Sequence, residues 1–373
     1  MLIQYNEKMK RIASIALVVL AVLIVLVFVH CAGVFPGRNL QEELATDGDV
    51  NEEEPETELT EYEEVFIAPV ILPDMEDELP VSSFNEIWAY VITGRESDLR
   101  AGLPLTDIGY FSADVDIYGK LSNVPRRRNI TFNGRVHLVV VCNNTALTHF
   151  ILDPESRVRR ELIADLIAAT RDFDGLNIDF ENIPPRDGET FLSFLRELRN
   201  GLPDDKMLTI ALYARTRRIA NDVYDYEKIK PYVDRIFVMA YDQHWGGSAA
   251  GPIASLNWCR NVAAHALNVV GPEKLIMGLP FYGRAWGNHN PSRAVIYSTT
   301  ENIIRSNNVT DIRRENGIPA FDYNVNVQVK VYFEDAYSLA VRSNMYKSMN
   351  VEKIGFWRLG QETPDIWKYL RLE

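Results

Sequence analysis

The stretch Phe173-Asp174-Gly175-Leu176-Asn177-Ile178-Asp179-Phe180-Glu181-Asn182-Ile183 limits the architectures open to this chain more than any other. It alternates with period two, as a strand does. Leu176, Ile178 and Phe180 share one face; Asn177, Asp179 and Glu181 share the other. The apolar face requires cover from helices. The second face carries an amide and two carboxylates, and no Lys, Arg or His among the alternating residues neutralises them. Alternate residues of one strand lie about 7 Å apart. Carboxylates that close do not ionise independently, and the favoured form shares a proton. A carboxylic acid kept protonated near neutral pH is ready to donate. The competing reading is an ordinary amphipathic strand with its polar face in water, as in an antiparallel sheet.

The neighbouring sequence bears on that choice. From Phe84 onward strand-like and helix-like segments alternate, which predicts a parallel sheet covered on both faces. A carboxylate pair is costly there unless it sits at the strand's C-terminal mouth, where the active sites of βα barrels lie. Pro184-Pro185 follows Glu181 closely, so Glu181 is near the strand's end. The other predicted strands are 86–92, 108–115, 135–141, 207–213, 234–241, 274–286 (the strand together with its mouth) and 353–358. Asp153-Pro154-Glu155 is predicted to cap a helix with Val158, Leu162, Ile163, Leu166 and Ile167 as its buried stripe. Phe191, Leu192, Leu195 and Leu198 form the next stripe, and Gly201 is its stop. Residues 287–335 break the rhythm, with short strand-like runs at 294–297 and 327–333 around a helix-like segment. Helices are predicted at 335–348 and 366–370.

Several motifs add a resemblance to a known family. Asp174-Gly175-Leu176-Asn177-Ile178-Asp179-Phe180-Glu181 resembles the DGxDxDxE signature of glycoside hydrolase family 18, the chitinase family. Met239-Ala240-Tyr241-Asp242 matches its MxYD motif, and residues 278–286 resemble its GLPFYGRxW segment. Asn177 departs from the usual first inner Asp. With Asn182-Ile183-Pro184-Pro185 behind it, Asn177 is similar to the bacterial branch of spore-cortex and peptidoglycan N-acetylglucosaminidases. The family's Ser-x-Gly-Gly after the third strand is absent, and Cys142-Asn143-Asn144 stands there. The resemblance implies an α/β fold, a (βα)8 TIM barrel with a small α+β insertion between strands seven and eight. It implies a retaining hydrolysis in which the substrate supplies its own nucleophile. In that scheme Glu181 is the proton donor, Asp179 orients the substrate amide and Tyr241 holds its carbonyl. Asn177, Asp242, Trp357, Tyr282 and Arg284 bind the sugar. Trp245, in the Gly-rich loop 243–248, is placed to stack on a sugar ring. By residue type alone, Tyr241 and Trp357 also suit plain packing at strand ends.

Peptidoglycan is the expected substrate. A chitinase acting on chitin oligosaccharides and a non-catalytic carbohydrate-binding relative are the alternatives. Relatives of the second kind typically lose the Glu of the signature, whereas Glu181 is retained.

The rest of the chain concerns location and partners. Residues 12–29 are apolar except for Ser14 and follow Lys8, Lys10 and Arg11, which reads as a signal-anchor or signal peptide. Cys31 adds a lipoprotein reading. Residues 41–80 hold 16 Asp or Glu and no Lys or Arg, as in a solvated spacer. The expected organisation is therefore a membrane segment at 1–34, an acidic disordered linker at 35–81 and a catalytic barrel at 82–373 with 287–335 inserted. The net charge of −13 resides in the linker, so the barrel has no electrostatic footprint for nucleic acid. The expected partners are a polysaccharide and, through the N-terminal segment, a membrane; the expected state is a monomer outside the cytoplasm. Three Cys are too few for a disulfide framework, and Cys142 and Cys259 read as small buried residues. The six His show no tight ligand spacing, so neither a metal site nor a cofactor is predicted.

Overall fold

Eight strands run parallel and close on themselves. They are β1 (Glu86–Ile92), β2 (Asp107–Val115), β3 (Arg135–Cys142), β4 (Gly175–Phe180), β5 (Met207–Tyr213), β6 (Arg235–Met239), β7 (Leu275–Pro280) and β8 (Lys353–Trp357). Each pairs with the next in chain order, and β8 pairs back with β1 through Lys353 opposite Glu86. The computed structural model describes residues 78–287, 292–324 and 328–373. The predicted membrane segment, Cys31 and residues 41–77 lie outside them. Among the described residues no helix is long and apolar enough to cross a membrane.

The barrel separates two apolar layers. Between strands and helices, Leu176, Ile178 and Phe180 of β4 join Leu162 and Leu166 of one helix and Phe191, Phe194 and Leu198 of the next. Each such side chain contributes roughly 1.5–3 kcal/mol by leaving water. Inside the barrel, Trp88, Tyr90, Val139, Phe237 and Ile276 form a second cluster. Phe237 fits only because its neighbours are glycines. A Cβ on Gly355 would stand 2.2 Å from its ring, and one on Gly278 2.6 Å.

The helices are α1 (Thr145–Leu152), α2 (Arg157–Thr170), α3 (Gly188–Gly201), α4 (Tyr226–Ile229), α5 (Leu256–Val270), α6 (Tyr297–Ser306) and α7 (Ala336–Ser348). The predicted cap of α2 needs correction. Ser156 caps it, accepting from the Val158 N–H at 3.1 Å, while Asp153 closes the turn before it through the Glu155 N–H. α1 was not predicted; Asn144 caps it. On α2 the fully buried stripe includes Arg159 rather than Val158. The Arg159 guanidinium bonds Leu152 and Thr190 carbonyls, Ser193 and Glu197, and so ties α1 and α3 to α2. Hydrophobic periodicity gives no sign of a buried arginine that bonds through its two terminal nitrogens.

Charged groups plug the base of the barrel. Glu86 accepts from Arg235 at 2.6 Å and from the Trp88 indole at 2.9 Å. Asp107 accepts two bonds from Arg135, at 2.7 and 2.9 Å, and meets the buried His137 at 2.7 Å. Burial pushes both carboxyls up, but the hydrogen bonds outweigh it and hold both below their ordinary values. Near this end, Ser82–Phe84 pairs in parallel with Leu370–Leu372.

Between β7 and β8 stands an antiparallel sheet of five strands, in the order Arg293–Ile296, Tyr282–Gly287, Gln328–Tyr332, Ile318–Asn324 and Arg313–Glu315. α6 packs on it, with Val295, Ile303, Phe321 and Val331 as a separate core. The sheet takes in Tyr282–Gly287, ahead of the predicted start at residue 287, because Phe281 alone separates this strand from β7.

Candidate active site

β4 brings the acidic face to the mouth of the barrel. Its backbone ladder runs past its last residue, with the Glu181 N–H donating to the Cys142 carbonyl at 2.7 Å. Asn177 and Asp179 point into the barrel and are buried; Glu181 is half-buried just beyond the strand. Asn182 then adopts a left-handed φ of 55° and turns the chain away, with its side chain on the Asn143 carbonyl.

The carboxyls are held without cations. Burial, and after it the Glu181 charge, raises Asp179 to about 8. Its Oδ1 is buried without a hydrogen-bond partner. Burial also raises Glu181; the neighbouring Tyr213 hydroxyl opposes this and the Asp242 charge adds to it. No Lys, Arg or His contributes at either group. The arrangement favours one retained proton on the pair.

Asn177 is held by neighbouring strands. Its amide donates to Thr209 Oγ1 at 2.7 Å, and its carbonyl accepts from Tyr90 Oη at 3.3 Å. These partners come from β5 and β1, so Asn177 braces its strand across the barrel.

β6 ends at Met239, short of the predicted 241, so Tyr241 and Asp242 occupy the turn after it. Asp242 takes φ 56° and accepts from Arg284 at 3.4 Å. The Tyr241 and Tyr282 rings meet edge-on at 6.1 Å. Arg284 also reaches Ser292, which donates to the Gly246 carbonyl at 3.1 Å. The inserted sheet is thereby tied to the Trp245 loop. Trp245 is 54% exposed and lies over Gly247, where a Cβ would stand 2.5 Å from its ring. Trp357 ends β8, half-buried, 5.4 Å from the Tyr90 ring and 4.9 Å from Phe111. Asp179, Glu181, Tyr241, Asp242, Tyr282, Arg284, Trp245 and Trp357 therefore all end or follow strands on one side of the barrel. Among the described residues no group of three His, Cys, Asp or Glu is placed to hold a metal ion. Cys142 and Cys259 are free and buried, as predicted.

Sequence reasoning passed over Tyr90, Thr209, Tyr213 and Tyr224. Tyr213 lies beside Glu181 and counters the rise of its carboxyl, and Tyr224 Oη accepts from the Ile183 N–H at 3.0 Å. The available signal was position: Tyr213 is the last residue of a predicted barrel strand, and strand ends furnish the mouth.

Known proteins resemble this chain over a long span. The cortical fragment-lytic enzyme of Bacillus subtilis is 28% identical over 289 residues, covering 71% of this chain and 67% of that protein. YvbX of the same species, described as an uncharacterized glycosylase, is 26% identical over 250 residues, covering 64% and 70%. The crystal structure of the spore cortex-lytic enzyme SleL of Bacillus cereus matches with a TM-score of 0.71 at 25% identity, covering 79% of this chain and 76% of that one. The Glycosyl hydrolases family 18 matches residues 140–362, a span that includes both carboxyls, the Tyr241 turn and β8. The chain belongs to that family and is a glycoside hydrolase.

Proposed function

We propose that the protein cleaves β-1,4 bonds after N-acetylglucosamine in peptidoglycan, with retention of configuration and with the substrate's acetamido group as nucleophile. The observation that carries this reading is the Asp179–Glu181 pair, which is raised, free of cations and has one carboxyl oxygen buried without a partner. An N-acetyl N–H is the donor that such an oxygen lacks. As that donor arrives it favours the charged form of Asp179, and the pair's proton comes to rest on Glu181. Glu181 protonates the leaving glycosidic oxygen. The acetamido carbonyl oxygen, held by Tyr241, attacks the anomeric carbon and forms an oxazolinium. Asp179 offsets the charge that develops on its nitrogen. Glu181, now a carboxylate, takes a proton from water as the water opens the ring at the anomeric carbon. Trp357 floors the reacting sugar; Asn177, Asp242, Tyr282, Arg284 and Trp245 line its surroundings.

The names of the similar proteins, a cortical fragment-lytic enzyme and a spore cortex-lytic enzyme, support a cell-wall glycan as substrate and action outside the cytoplasm. In this reading residues 82–373 are the catalytic unit, held at the membrane by residues 1–34 across the acidic stretch 35–81. The test is mass spectrometry of purified peptidoglycan after digestion and borohydride reduction. New reduced N-acetylglucosamine ends are expected from the protein and, at roughly 10³-fold lower rate, from Glu181→Gln. Cleavage of chitin oligosaccharides without new ends in peptidoglycan would transfer the reading to chitin. Equal rates for the two proteins would remove Glu181 from the acid role.

A further inference from the structure

A fully buried ion pair lies outside the site, where the inserted sheet returns to the barrel. Glu334 follows the inserted strand Gln328–Tyr332, and Arg342 stands on α7. Both side chains are withdrawn from water. Arg342 Nη1 donates to Glu334 Oε2 and Nη2 to Oε1, each at 3.1 Å, and Ser338 Oγ donates to the same carboxylate at 2.7 Å. The second hydrogen of Nη2 goes elsewhere, to the Ala254 carbonyl at 2.5 Å.

Ala254 stands at the end of the loop that bears Tyr241, Asp242 and Trp245. At the loop's start the buried Cys259 thiol of α5 faces the Ala240 carbonyl at 3.7 Å. The two arms of the loop are tied together. The Gln243 N–H donates to the Ile253 carbonyl at 2.8 Å, the Ser255 N–H donates to Gln243 Oε1 at 3.0 Å, and His244 Nδ1 lies 2.7 Å from the Pro252 carbonyl. Ile253 is fully buried in an apolar cluster with Tyr282 and Trp286, and Tyr241 packs against that cluster. The Tyr241 ring thus rests in part on the residue beside Ala254.

Stability alone does not explain the pair. Taking two charges out of water is costly, and apolar side chains of similar volume commonly serve as well or better. What an arginine adds is direction. Its planar fork is fixed by two bonds to Glu334, and the remaining hydrogen is aimed from there at one carbonyl. That carbonyl belongs to a loop, which no helix or strand ladder holds.

We propose that Arg342 is a positioning residue for the hydrolysis: fixed on Glu334, it holds the Ala254 carbonyl and, through Ile253, keeps the Tyr241 hydroxyl in reach of the substrate's acetamido group. The inference rests on the reading of Tyr241 as the holder of that group.

The test is kcat of the full chain on whichever glycan the unmodified protein cleaves, peptidoglycan or a chitin oligosaccharide. Arg342→Lys keeps a cation beside Glu334 but lacks the fork. The paired replacement of Glu334→Leu with Arg342→Met removes both charges at similar volume, so the melting temperature is expected to hold or rise. Each is expected to lower kcat about tenfold with KM little changed, since the lost placement matters when the acetamido oxygen attacks. Tyr241→Phe is expected to lower kcat about a hundredfold. Adding either Arg342 change to Tyr241→Phe should then cost about twofold at most, because the group being positioned is gone. An arginine that merely holds the fold would cost the same factor in both backgrounds, and that result would overturn the proposal. An unchanged kcat in either Arg342 replacement would overturn it as well; if one of the two fails to fold, the other decides. Tyr241→Phe by itself separates the two claims. If it retains full activity, the reading of Tyr241 fails; if it is impaired while the Arg342 replacements keep full kcat, only the positioning role fails.

Discussion

At the base of the barrel Glu86 and Asp107 meet Arg235, Arg135 and His137, while at the mouth Asp179 and Glu181 meet tyrosines, each other and Asp242. Both pairs are largely withdrawn from water. The arginines hold the first pair charged, and the absence of cations raises the second. The difference follows from strand polarity. The N-terminal ends of parallel strands are closed over by turns and can be sealed by ion pairs. The C-terminal ends carry the long loops that form a substrate site. One end therefore serves stability, and the other keeps carboxyls in a state that stability alone would not select.

The largest effect that would sharpen this comparison is expected from Asp179→Asn. It should lower kcat by roughly two to three orders of magnitude, yet leave the melting temperature unchanged or raised, because an uncompensated carboxyl is removed. A fall in melting temperature of several degrees would show that Asp179 stabilises the fold as the base carboxyls do. Next in size is Asp107→Ala, expected to cost about 2 kcal/mol in denaturant unfolding while kcat stays within about twofold. The figure lies below that for a fully buried pair because Arg135 remains 41% exposed.

The two ends should also respond to pH in opposite senses. The folded value of Asp179, about 8, lies above its unfolded value of about 3.9. The folded state therefore binds the extra proton between those limits, and this contribution to stability is present at low pH and lost as pH rises toward 8. Glu86 and Asp107 are lowered, so their contribution is present above about pH 4 and lost as pH falls through their folded values. Thermal melts from pH 3 to 9 should show a decline on the alkaline side that Asp179→Asn flattens and Asp107→Ala does not. The smallest effect is expected from Asn177→Asp, which adds a titrating group beside Tyr90 and Thr209. It should shift the pH–rate profile by about one unit; an unchanged profile would mean that Asn177 acts only as a brace.

The barrel was legible in the sequence because strands covered on both faces must be apolar, and the runs ending at Cys142, Tyr213 and Pro280 are apolar almost throughout. Asp179 and Glu181 were legible because carboxyls alternating with Ile178 and Phe180 break that rule at one place. Tyr90 and Tyr213 were not, since an aromatic residue at a strand end looks the same whether it packs or donates. The partners of Asn177 were hidden for another reason. Spacing along one strand orders that strand's own side chains, but Thr209 and Tyr90 arrive from strands 32 residues downstream and 87 upstream. Arg159 shows the same limit on a helix, where a buried guanidinium occupies a position that periodicity assigns to the solvent side.

The parallel pairing of Ser82 with Leu370 and Phe84 with Leu372 sets the two outermost strands of the described fold side by side. Topologically the molecule is then close to a ring. Joining these ends by a short linker and opening the chain instead at the exposed Asp204-Asp205 turn, between α3 and β5, would give a permuted polypeptide with the same neighbours around the barrel. The circular order of the strands is what the chemistry at the mouth depends on; the point at which the circle is cut is free to vary.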